Sequence, residues 1–269
     1  NSQTTSPFGC LNNFYFKILS NFSGSLQLYK FRDFFQKYTD NYVLIGGTAC
    51  SILFDEVGEN FRATKDLDVV LVVENISKEF GQAFWEFIKE ANYNGIETGE
   101  TQRQFYRFRN PADASYPKMI ELFSRTPDIP LLPETHLTPV PIADDVSSLS
   151  AILLNDDYYR FLLQGRRIVD GLSVLDEKYL IPFKAKAWCE LSARQKGGEE
   201  GNSRHIRKHY RDVYHLLMLV PPKERIALPK QLKTDMQSFI NGIRQGETMS
   251  DDIDNLLLCE QLEDIYLSF

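Results

Sequence analysis

Apolar and polar positions along this chain fall into two periods, and the change from one to the other marks its elements. Tyr42-Val43-Leu44-Ile45 is a short β-prone run that stops at Gly46-Gly47, and residues 48–54 after it have a helical composition. Lys65-Asp66-Leu67-Asp68 opens a second apolar strand that runs on to Val73. Before this pair, Leu28, Phe31, Phe34 and Phe35 fall at helical spacing and predict an amphipathic helix over 26–38. After it, Ser77 predicts an N-cap, and Phe80, Phe84, Phe87 and Ile88 mark one face of the helix it starts. Strands are expected over 93–98, 102–109 and 118–123, with a turn at Gly99 between the first two. Five prolines between residues 127 and 141 predict an extended connector, which also carries His136. Residues 158–163 and 166–175, separated by Gln164-Gly165, are expected to pair as a hairpin.

From Asp176 onward the period is helical. Asp176 is the expected cap of a helix with the apolar face Leu180, Phe183, Ala187, Trp188 and Leu191, and Lys184 stands in the middle of that face. Residues 196–202 break the pattern, Ser203 is the expected cap of the next helix, and Ile206, Tyr210, Val213 and Leu217 form its buried stripe. Arg204, Lys208, Arg211 and His215 follow at i, i+4, i+7 and i+11 as a basic ridge. Two further amphipathic segments, 228–243 and 250–267, close the chain. The expected organisation is an N-terminal extension at 1–25 with no assigned function, a mixed α/β unit at 26–175 and a helical unit at 176–269.

Composition narrows this picture. At 269 residues and 43% hydrophobic content the chain can bury a core. No apolar run approaches the length that crosses a bilayer, and no basic-then-apolar secretion signal opens the sequence. Cys10, Cys50, Cys189 and Cys259 lie far apart without metal-type spacing, as expected of reduced thiols in a cytoplasmic protein with no membrane partner. The net charge of −7 argues against a protein that coats nucleic acid nonspecifically.

The candidate chemistry lies in the first strand pair. Two glycines at the mouth of a helix let a ligand approach the backbone, and the helix N-terminus offers N–H groups to an anion, with Thr48 adding a hydroxyl. A Gly-Gly at this place is also an ordinary tight turn. Asp66 and Asp68 share one face of their strand, where like charges repel unless a cation such as Mg²⁺ holds them. A polar strand end facing water is the plainer alternative. Glu121 sits in a strongly apolar strand, where a carboxylate is costly unless paired, metal-bound or at an open edge. Arg103, Arg107 and Arg109 alternate on one face, either to meet phosphates or to be solvated and offset by Glu97 and Glu100. Lys184 either snorkels to the rim of its helix or reaches toward an anionic site.

Gly46-Gly47-Thr48 followed in the next strand by Asp66-Leu67-Asp68 resembles the signature of the polymerase-β-like nucleotidyltransferases. The wording GGTA…RATKDLD is similar to the AbiEii/AbiGii toxin-type family. The resemblance implies an α+β nucleotidyltransferase fold, a small mixed sheet flanked by helices, followed by a C-terminal helical bundle. It implies Asp66, Asp68 and Glu121 as metal ligands and catalytic groups for Mg²⁺ or Mn²⁺. Gly46, Gly47, Thr48, Lys65, Lys184 and Arg211 are implied to hold a nucleoside triphosphate. The implied activity moves a nucleotidyl group to an acceptor hydroxyl on RNA or protein, in a toxin or phage-defence component with a cognate antitoxin. Two alternatives share the site: a silent nucleotide- or partner-binding module, and an enzyme that modifies a small antibiotic-type molecule. The chain departs from the family twice, in a longer segment between the glycines and the acids and in His215, which replaces a further acid after Arg211-Asp212.

Overall fold

The computed structural model describes residues 25–62, 64, 66–98, 105–125, 138–139, 152–153, 155–246 and 253–268. Lys65, Gly99, Arg103, His136 and almost all of the expected extension lie outside the described residues. So does most of the proline-rich connector, of which Thr138–Pro139 is described as a short strand.

The architecture is α+β. In chain order the main elements are α1 (Ser25–Phe35), β1 (Tyr42–Ile45), α2 (Gly46–Glu56), β2 (Asp66–Leu71), α3 (Lys78–Ala91), β3 (Tyr93–Thr98), β4 (Phe105–Pro111), β5 (Met119–Phe123) and β6 (Thr138–Pro139). They continue as α4 (Asp156–Gln164), β7 (Arg166–Val169), β8 (Leu172–Leu175), α5 (Glu177–Lys196), α6 (Ser203–Leu217), α7 (Lys230–Arg244) and α8 (Asn255–Tyr266). Among the described residues eight strands form one mixed sheet in the order β6-β3-β4-β5-β2-β1-β8-β7.

Strand alternation divides the sheet into two buried faces. On one, Tyr42 and Leu44 of β1, Leu67 and Val69 of β2, Ile120 of β5 and Phe108 of β4 meet an aromatic layer from α1 and α3. Phe31 and Phe35 pack on Tyr42 and Phe87, and Phe84 packs edge-on to Phe108. The other face carries Ile45, Asp66, Asp68, Glu121 and Arg107, and the C-terminal helices lie over it. α3 begins where the sequence predicts, with Ser77 Oγ accepting from the Phe80 N–H. The Asp176 side chain likewise caps α5 by accepting from the Lys178 N–H.

Two local expectations are corrected. Residues 158–163 are not a strand but the body of α4, whose Asn155 cap accepts from the N–H groups of Asp157 and Tyr158. Tyr158, Tyr159, Phe161 and Leu162 are buried on it, a helical spacing that aromatic strand propensity masked. The hairpin is instead β7–β8, closed by Asp170-Gly171, both at positive φ as a two-residue turn requires. The second correction concerns α6: its N-cap is Asn202, with Ser203 the first helical residue and no side-chain capping bond.

Candidate active-site cleft

β1 ends at Ile45 and α2 begins at Gly46, so the glycine pair is itself the first turn of the helix. Gly46 has φ +70, and a Cβ built there would lie 1.7 Å from Asp68 Oδ2. A side chain at this position is excluded twice, by backbone conformation and by the carboxylate pressed against it. A Cβ at Gly47 would meet Thr64 Oγ1 at 2.8 Å. Thr48 is buried, and its hydroxyl donates to the Asp66 carbonyl oxygen at 2.7 Å, so it ties α2 to β2 instead of joining the cradle.

The parallel pairing of β2 with β5 sets Asp68 directly beside Glu121, and the antiparallel pairing of β5 with β4 sets Glu121 beside Arg107. Asp68 and Glu121 are close enough to share a proton, with Asp66 near both. Burial first, and Glu121 next, raise the Asp68 carboxyl well above its ordinary value. Burial also raises Glu121, partly offset by its hydrogen bond with Asp68 and by Arg107. Arg107 donates from Nε at 2.8 Å and from an Nη at 2.7 Å, both to Glu121 Oε1. For Arg107 neither reading of the arginine row holds, since it serves a carboxylate, while Arg109 is exposed on the same strand. Among the described residues no three His, Cys, Asp or Glu side chains already stand as a metal-binding cluster. The donor chemistry nevertheless fits a hard divalent ion. Two desolvated carboxylates in contact need a proton or a cation between them, and Asp66 supplies a third oxygen donor beside the pair.

Above this acidic floor, α5 and α6 form the roof. Lys184 is buried on α5, and its Nζ bonds Asp212 Oδ2 at 2.9 Å. Arg62, from the segment before β2, grips the same carboxylate at 3.1 and 2.9 Å. Burial opposes the charge on Asp212, but Lys184 and Arg62 outweigh it and hold the carboxyl well below the usual range. Burial likewise opposes the Lys184 charge, and Asp212 together with Cys50 outweighs it, leaving the amine above its ordinary value. Lys184 lines the cleft with its charge shared with Asp212. Arg211 does not line the cleft: it is exposed on another face of α6, while its neighbour Asp212 is buried. Of the basic ridge only Lys208 reaches the cleft, because the stripe of α6 that faces inward is His205, Lys208, His209 and Asp212, spaced i, i+3, i+4 and i+7.

The space between floor and roof, counted together with its open mouth, is about 750 Å³. Gly46, Gly47, Asp66, Asp68, Glu121 and Lys184 all line it. Sequence reasoning missed Arg62 and His209, gave Asp212 no role of its own, and placed Arg107 and Lys208 on basic faces without their partners or their place in the cleft. For Asp212 a signal was present: it lies four residues before the buried Leu216 and so on the edge of the apolar stripe. Partnerships across strands, such as Arg107 with Glu121, leave no local mark.

Fold and site together define an α+β protein with an acidic cleft floor set against a glycine turn and a cationic roof. The chain is similar to an antigenic nucleotidyltransferase-like protein from Paracoccidioides brasiliensis, at TM-score 0.45 and 16% identity over 90% of this chain and 94% of that one. It is similar to the Megavirus polyadenylate synthase at TM-score 0.40 and 12% identity, over 92% of this chain and 45% of that one. A third similar structure is JHP933 from Helicobacter pylori, at TM-score 0.37 and 13% identity over 88% and 87% of the two chains. At TM-scores below 0.5 these likenesses fix no property of the chain. No family model and no curated protein matches it.

Proposed function

We propose that the chain is a metal-dependent nucleotidyltransferase that moves the nucleotidyl group of a nucleoside triphosphate to an acceptor hydroxyl. One observation carries the reading: the Asp68 carboxylate is packed against Gly46 on one side and Glu121 on the other. A phosphate brought to the glycine turn thus meets the acidic pair without any rearrangement of the backbone.

The N–H groups at the start of α2 donate to phosphate oxygens, helped by the positive end of the helix. Asp66, Asp68 and Glu121 would hold Mg²⁺ or Mn²⁺, which when bound screens the polyphosphate and stabilises the entering and leaving oxygens of an in-line displacement. Arg107 fixes the rotation of Glu121 through its two bonds to Oε1. The Asp68–Glu121 pair accepts the acceptor's proton as the new oxygen–phosphorus bond forms and the bond to the pyrophosphate leaving group breaks. Leu180 and Phe183 of α5 keep bulk water from the reacting phosphate.

The acceptor on RNA or protein, and the toxin or phage-defence role with its antitoxin, rest on the sequence resemblance. The test is Mg²⁺-dependent pyrophosphate release from labelled triphosphates with cell extract as the acceptor source. Release is expected from the wild type and to fall at least about a hundredfold in Asp66→Asn and Asp68→Asn. A second reading, a nucleotide-binding module without turnover, is favoured by one feature: Arg107 already neutralises part of Glu121. Mg²⁺-dependent triphosphate binding without release, across RNA, protein and small-molecule acceptors, would establish that reading in place of the first.

A further inference from the structure

The cations around the cleft differ in what they already hold. Lys184 and Arg62 are both committed to Asp212. Lys208, one helical turn before Asp212 on the inward stripe of α6, makes no hydrogen bond or ion pair among the described residues. It is half-buried, and it lines the cleft together with the carboxylates and the glycine turn. Beside it, His209 also lines the cleft, and its Nδ1 is buried without a hydrogen-bond partner. A desolvated ammonium without a counter-charge costs stability, and here two cations stand close to it. Burial and then the neighbouring Lys184 and Arg62 lower the Lys208 amine from its ordinary value, with Asp212 and Asp68 acting in the opposite sense.

We propose that Lys208, supported by His209, is the roof residue that binds the polyphosphate of the ligand, across the cleft from the N-terminus of α2. The assignment deepens the nucleotidyl-transfer reading and uses the same cleft, but it needs neither metal nor turnover. A polyphosphate gives Lys208 the counter-charge that Asp212 gives Lys184. Its oxygens also offer acceptors to the neutral imidazole of His209, whose ring N–H can be carried on either nitrogen.

The experiment is calorimetric titration of the full chain with inorganic tripolyphosphate in EDTA at low salt. The wild type is expected to bind, Lys208→Met to bind at least about tenfold more weakly, and Lys208→Arg to recover most of the loss. Arg207→Met, an exposed cation on the same helix, is expected to bind as the wild type does. Melting temperatures recorded alongside separate a binding role from a structural one. Lys208→Met should melt no lower than the wild type, because it removes an unpaired charge next to Lys184 and Arg62. Absence of wild-type binding, undiminished binding by Lys208→Met, or an equal loss in Arg207→Met would overturn the proposal. Lys208-dependent binding without pyrophosphate release would leave this assignment standing while the catalytic reading falls. Release together with undiminished tripolyphosphate binding by Lys208→Met would do the reverse.

Discussion

Asp68 is held against its own electrostatic preference. Its carboxyl lies under the Gly46 backbone, loses water on folding and faces Glu121 in the adjacent strand. A carboxyl whose folded pKa is raised binds its proton more tightly in the native state than in the unfolded chain. Its stabilising contribution is therefore full below the ordinary carboxylate range and is lost as the pH rises through the raised value. Asp212 has the opposite sign: its lowered pKa contributes stability above the ordinary range, lost only as the pH falls far into acid. The two are separable by mutation. In EDTA at pH 7.5, Asp68→Asn should be more stable than the wild type by on the order of 1 kcal/mol, about 2–4 °C in Tm for a chain of this size. That difference should shrink as the pH is lowered toward the raised value for Asp68. A melting series over pH checks it, and an Asp68→Asn protein less stable than the wild type at neutral pH would show that the carboxylate is well solvated or already compensated. Loss of pyrophosphate release together with gain of stability is the pattern expected of a group kept for chemistry.

At the scale of elements, α5 and α6 are joined to the strand pair through one buried carboxylate. Asp212 receives Lys184 from α5 and Arg62 from the segment leading into β2, so three parts of the chain meet on it. Asp212→Ala leaves a buried lysine and a partly exposed arginine facing each other, and breaking a buried pair in this way costs about 3–5 kcal/mol. Lys184→Met should cost less, because Arg62 still holds the carboxylate. Urea denaturation of the two variants checks the order, and equal stabilities would mean that the network is not shared as the distances indicate. These elements were also the legible ones. The β1–glycine–α2–β2 unit shows as apolar runs cut by Gly46-Gly47 and by paired acids, and α5 and α6 show as 3.6-residue stripes bounded by Asp176, the glycine-rich break at 196–202 and Pro221-Pro222. Legibility failed where the determinant was non-local or ambiguous. Aromatic residues in α4 favour strand and helix alike, and only Asn155 with Asp156 and Asp157 marked a helix start. Arg107 meets Glu121 through strand register, and Lys208 differs from Arg211 by a rotation about α6 that depends on what α6 packs against.

For the whole molecule, the continuity of the core decides how it comes apart. Buried apolar residues form a single cluster from Phe31 of α1 to Tyr266 of α8, and it passes residue 176 without a gap. Polar ties run the same way. The Tyr158 hydroxyl of α4 donates to Asp235 of α7, the Tyr266 hydroxyl of α8 donates to the Lys178 carbonyl, and Arg167 of β7 pairs with Asp176 and Glu177 at the start of α5. The cleft needs both sides of this assembly, since its floor comes from the sheet and its roof from α5 and α6. Chains of this length often unfold in stages. A shared core and a shared site argue instead that the sheet layer and the helical layer lose structure together. The two tryptophans report on them separately, Trp85 from α3 beneath the sheet and Trp188 from α5 above it. In urea, Trp188→Phe and Trp85→Phe proteins, each followed by its remaining tryptophan, should give midpoints that coincide with circular dichroism of the same variant. Within one variant, a fluorescence midpoint about 0.5 M or more from the dichroism midpoint would show that the layers unfold independently. The cleft would then be an interface that can open while both of its walls remain folded.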